Sequence, residues 1–131
     1  MRASAMLISA LMLCACATSG ATPPILVGTE WLRVDEDNAS PHYVTIGFTA
    51  DGASGYFPGC GPWSARVRAS DASLSFYDIT PADPDCGAES SAAAAESMVQ
   101  ALRATRSAAF DGEYLLLRDG RGVEVARLRA N

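Results

Sequence analysis

Between Trp31 and Leu128 the chain is cut into short runs of alternating apolar and polar residues, each ended by a turn signal. A run with a period of two buries one face and wets the other, as half-buried antiparallel strands do. Segment 43–49 is the clearest, with Val44, Ile46 and Phe48 on one side. Asp51-Gly52 then supplies a hairpin turn, and 53–57 is the returning strand. Segments 63–68 and 73–77 form the next pair, with Leu74 and Phe76 inward and Ser70-Asp71 between them. Segment 25–34, carrying Trp31 and Leu32, opens the domain, and Asp111-Gly112 and Asp119-Gly120 mark two more hairpins with strands over 114–118 and 123–128. Only 89–103 breaks this rhythm. There Ala95, Met98, Val99 and Leu102 recur at helical spacing as one stripe, with Ser90 or Ser91 as the cap. Residues 80–86 are rich in Pro and Asp, which excludes a central strand. The pattern predicts a mainly β domain with one helix, built on an antiparallel sheet or barrel.

The first residues have a different character. Met1-Arg2 gives a positive start, and residues 3–13 are apolar or small. The run is too short to span a bilayer, which takes about 20 apolar residues, but has the length of a signal-peptide core. Leu13-Cys14-Ala15-Cys16 resembles the bacterial lipobox, in which an aliphatic residue and two small ones precede a cysteine that is acylated. On this reading 1–15 is removed and Cys16 carries lipid. Residues 16–24, small and polar with two prolines, form a flexible tether to a domain at 25–131. Attachment through more than one acyl chain is stable where one chain is marginal. The alternative is a plain secreted chain cut after Ala15 or Ala17. Ala17, rather than Asp, follows the cysteine, which by resemblance to enterobacterial sorting implies an outer-membrane anchor facing the periplasm.

The formal charge is −5, and losing Arg2 with the leader makes it one unit more negative. An acidic surface repels phosphate backbones, which excludes nucleic acid as the expected partner. Cys60 and Cys86 are the two cysteines of the domain, and in an exported chain such a pair reads as a disulfide. Zinc is the competing reading, but it usually takes four Cys or His ligands, and the domain offers two cysteines and His42. Free thiols are the remaining alternative.

No catalytic constellation emerges. His42 sits beside Pro41 in a loop, and no serine stands in a Gly-x-Ser-x-Gly context. Asp35-Glu36-Asp37-Asn38 fails as a calcium loop, because Ala39, Ser40 and Ile46 fall where an oxygen ligand, the glycine and the closing glutamate belong. Asp83 and Asp85 read likewise as solvated acids. Gly52, Gly55, Gly59 and Gly61 have neither the lysine nor the following helix of a phosphate loop. Trp31, Tyr56, Phe57 and Trp63 read first as core filling. If any segment recognises a partner, 56–63 is the choice, with Tyr56, Phe57 and Trp63 as its binding residues.

The order of these landmarks resembles the META domain family, whose familiar members are the HslJ-like heat-shock lipoproteins. Gly28-Thr29-Glu30-Trp31-Leu32 is similar to that family's opening strand, and Gly59-Cys60 to its Gly-Cys-Asn turn, with Gly61 in place of Asn. Cys86 stands where the family has a cysteine before its helix. Glu96 to Leu102 resembles the helix motif, and Tyr114-Leu115-Leu116-Leu117 followed by Gly120 resembles the closing hairpin. The resemblance implies a small antiparallel lipocalin-like β-barrel with the helix packed at one end. It implies no enzymatic activity and no cofactor. The family is linked with stress response, novobiocin tolerance, motility and secretion. The expectation is a monomeric, noncatalytic envelope lipoprotein that supports stress tolerance or envelope integrity through contacts with an envelope protein. The rival expectations are an inhibitor of lysozyme or of a protease, and a carrier of a small apolar ligand.

Overall fold

The structure is a computed structural model that describes residues 22–34, 44–71, 73–81 and 89–131. Among the described residues, eight antiparallel strands form a closed barrel in chain order: β1 Glu30–Arg33, β2 Thr45–Phe48, β3 Gly52–Phe57, β4 Gly61–Ser70, β5 Ser73–Thr80, β6 Ser107–Asp111, β7 Tyr114–Arg118 and β8 Glu124–Ala130. The helix α1, Glu89–Ala104, is inserted between β5 and β6. Pairing of Trp31 with Ala130 and of Arg33 with Leu128 closes the ring, so neither terminal strand is left as an edge.

The alternating residues do what their period requires. Val44, Ile46 and Phe48 are buried, as are Trp63, Ala65, Val67 and Ala69 along β4. With Leu74, Phe76, Leu115, Leu117 and Leu128 they fill the barrel interior, as side chains do in a barrel of about eight strands. Ala95, Met98, Val99 and Leu102 of α1 complete this core. The helix packs on β5, β8 and β3 and covers one end of the barrel. At the opposite end the turn before β1 acts as a plug. Leu26 is buried, Thr22 donates from its amide to Ala50 O and from its hydroxyl to Gly52 O, and Gly28 N donates to Phe48 O.

Four elements differ from expectation. Residues 25–28, expected as the start of the first strand, form the turn that plugs the barrel, and β1 begins only at Glu30. β5 continues past Tyr77 to Thr80, because a bulge at Asp78 (φ 50°) changes the inward spacing from two to three. Phe76 and Ile79 are therefore both buried. Aspartate tolerates this left-handed conformation better than most residues. β6 is the strand that the Asp111-Gly112 hairpin demanded but for which no range was predicted. Its Ser-Ala-Ala-Phe-Asp sequence carries little β propensity, and pairing with β7 imposes the conformation. The helix begins at Glu89, so Ser90 and Ser91 lie within it and neither is the residue preceding its first turn.

Candidate functional site

The residues singled out in 56–63 separate across the barrel wall. Phe57 and Trp63 are 1% and 2% exposed and stack on each other, with centroids 5.6 Å apart and an interplanar angle of 11°. Tyr56, the residue before Phe57, is 52% exposed on the outer face. Alternation along β3 explains the split: Phe57 and Tyr56 are neighbours and must point to opposite faces. The Trp63 indole Nε1 donates to Thr45 O at 3.1 Å, which satisfies the polar edge of a buried ring. It reaches that carbonyl over Gly55, its partner across β3 and β4, where a Cβ would lie 2.6 Å from Nε1 and 1.9 Å from Thr45 O. The three aromatics therefore do not form one surface.

Cys60 lies in the turn after β3, where its amide donates to Phe57 O at 2.8 Å and its side chain packs against the core. Cys16, His42, Asp35-Glu36-Asp37-Asn38, Asp83, Asp85 and Cys86 lie outside the described residues. Among the described residues no three His, Cys, Asp or Glu gather in a way that holds a metal, and no helix is long and apolar enough to cross a membrane.

Two further features were not visible in the sequence. The first is Arg33, a buried cation under the helix. Its Nη1 donates to Ser97 Oγ at 3.1 Å and approaches Met98 Sδ at 3.9 Å, and its Nη2 donates to Val125 O at 3.2 Å. Its place at the end of a strand, where alternation turns it inward, was the available signal.

The second lies at the plugged end. Ile25 and Phe110 are 69% and 49% exposed there, and the Phe110 ring sits 6.1 Å from that of buried Trp31. They line a shallow groove with Thr29, Glu30 and Ala130. Beside it, between β6 and the β4–β5 turn, is a hollow of about 130 Å³ lined by Pro23, Ile25, Asp71, Ser73, Ala108 and Phe110, among others. An aromatic just before a hairpin glycine was the one hint of this in the sequence.

In the β7–β8 turn the carboxylate of Asp119 is bound by backbone amides. Its Oδ1 accepts from the amides of Val123 (3.0 Å) and Arg121 (2.8 Å). These amides, with the Arg121 guanidinium adding a smaller effect, hold the carboxyl below its ordinary value of 3.8. The arrangement shapes the β7–β8 turn, and no nucleophile or base stands beside it in the turn.

Comparison with known proteins gives one family. No curated protein matches the chain, and no solved structure does. The META domain matches residues 26–131, which runs from the buried plug residue Leu26 through every strand of the barrel to the last residue of the chain. The chain thus belongs to the META domain family.

Proposed function

We propose that the protein is a noncatalytic envelope lipoprotein of the HslJ type, held to a membrane by lipid on Cys16 and acting through protein contacts in stress tolerance or envelope integrity. The observation that carries the reading is the META domain match over 26–131, with Leu13-Cys14-Ala15-Cys16 among the residues that precede it. The leader supplies the export address, Cys16 the acceptor thiol and the residues after it the tether. The barrel is then the working part, set in the periplasm on the outer membrane. A Cys60–Cys86 disulfide belongs to this reading, since an oxidising compartment preserves it. The core of buried apolar side chains supports a binding role carried by the outer surface and the barrel ends.

The test starts with the native protein. Intact mass from the outer-membrane fraction should correspond to a chain beginning at Cys16 with acyl groups attached. Cells lacking the chain should be more sensitive to novobiocin, and a Cys16→Ser version should not restore them. Recovery from the cytosol with Met1 present and no acyl mass would overturn the anchor. Full rescue by Cys16→Ser would overturn its importance.

A further inference from the structure

We infer that the plugged end of the barrel is a docking site for an extended, basic and apolar peptide segment, which adds as a strand to the outer edge of β6. Three observations meet there. The first is an unfinished seam. β6 pairs with β7 over its whole length, from Ser107–Arg118 to Asp111–Tyr114, but with β5 at Ser73–Ser107 alone. In an antiparallel ladder successive residues turn their amides to opposite sides. Ser107, Ala109 and Asp111 face β7, so Phe110 presents its N–H and C=O to the other edge. Among the described residues no backbone bond to them is made on that side. A strand edge of this kind is a template for an added strand.

The second observation is apolar surface beside that edge. Ile25 and Phe110 stand exposed, and the hollow next to them, about 130 Å³, admits one side chain. Sites for whole small molecules run from about 300 Å³ upward, so the hollow takes one side chain, while the open groove beside it, about 490 Å³, gives room for the residues that flank it.

The third is charge, which selects the occupant. Glu30 lines the groove and Asp71 the hollow, Asp111 and Glu113 follow Phe110, and all four are exposed. None of the four is in an ion pair among the described residues. No basic residue lines either depression. An acidic rim repels an anionic lipid surface and a second copy of a chain whose net charge is −5. It attracts arginine and lysine flanking an apolar strand. The inference deepens the protein-contact reading given above by naming the partner's chemistry. It does not depend on the lipid anchor, which the acyl mass on Cys16 tests separately.

The full chain is titrated with a synthetic peptide of alternating Arg and Val, read by tryptophan fluorescence, since Trp31 adjoins Phe110. Saturable binding that weakens with salt is expected. Phe110→Ser should weaken it at least about tenfold, the scale of losing an anchor residue. Glu30→Gln, an exposed change that leaves folding intact, should weaken binding and flatten the salt dependence. N-methylation of alternate peptide amides should abolish it. No binding of the Arg-Val peptide, equal binding of a Glu-Val peptide, or equal binding of the N-methylated form would each overturn the proposal. So would Phe110-dependent binding to phosphatidylethanolamine–phosphatidylglycerol vesicles, or Phe110-dependent dimerisation, in place of peptide binding.

Discussion

The guanidinium of Arg33 donates to the hydroxyl of Ser97 across 3.1 Å, and so fastens β1 to the helix that covers the barrel end. A second donor from the same group reaches Val125 O on β8, so one buried side chain ties α1 to both strands that close the ring. Hydrogen bonds from a charged donor contribute more than neutral ones, and removing the donor leaves buried acceptors unmet. Arg33→Ala should therefore lower unfolding stability by about 2 to 3 kcal/mol, and Ser97→Ala by about 1 kcal/mol. Denaturant melts of both variants and of the double variant check this. Strict additivity of the two losses would mean that the bond contributes no coupling.

Gly55 is fixed by the ring that lies over it. An added methyl would press on Thr45 O and on the Trp63 indole, and a backbone carbonyl held between two strands cannot swing aside. Gly55→Ala should cost about 1 to 3 kcal/mol, the range for overpacking a tight core. Gly47 lies nearby on β2, yet its nearest neighbours to an added Cβ are at 3.6 Å, an ordinary contact distance. Gly47→Ala should change stability by less than about 0.5 kcal/mol. Thermal melts compare the two variants, and equal losses would mean that the Trp63–Thr45 bond does not set the glycine requirement.

The same contrast shows what could be read from the sequence. Alternation placed Val44, Ile46 and Phe48 inward, and helical spacing placed Met98 and Leu102, because both depend on local periodicity. The partners of the inward side chains are set by strand order and shear, which are nonlocal. Trp63 was legible as core, but its reach over Gly55 to Thr45 was not, since it needs the register of β3 on β4. Arginine side chains mostly lie at the surface, and the burial of Arg33 depends on a helix whose contacting Ser97 is more than sixty residues away in the chain. The apolar end at Ile25 and Phe110 joins segments more than eighty residues apart in sequence numbering, so no window could bring them together.

Asp119 should make stability pH-dependent in the acid range. Its carboxylate is favoured in the folded chain by the amides of Val123 and Arg121, so the folded pKa lies below the ordinary 3.8. A depressed pKa stabilises the fold above the unfolded value, and the contribution disappears as pH falls through the folded value. Asp119→Ala should therefore be less stable than the parent at neutral pH, with the gap narrowing as pH drops below 3.8. Denaturant melts at a series of pH values would show it. A gap that stays constant to the acid limit would mean that the carboxylate charge is not what the turn uses.

The proposed Cys60–Cys86 bond has a calculable effect. Cys60 follows β3 directly, and Cys86 precedes the first helical residue, Glu89, by three positions. A cross-link between them would enclose β4 and β5, a loop of about 26 residues, and stabilise by roughly 3.5 kcal/mol through the unfolded state. β4 is already paired with β3 and β5, so the folded barrel gains little from the tie while the unfolded chain loses much of its freedom. Reductant should lower the melting temperature by more than about 10 °C for a domain of this size. Cys60→Ala and Cys86→Ala should each melt where the reduced parent does, and neither should respond to reductant. The double variant should add nothing to either single one. If the parent melts at the same temperature with and without reductant, the bond does not exist, and Cys60 contributes only by packing its side chain against the core.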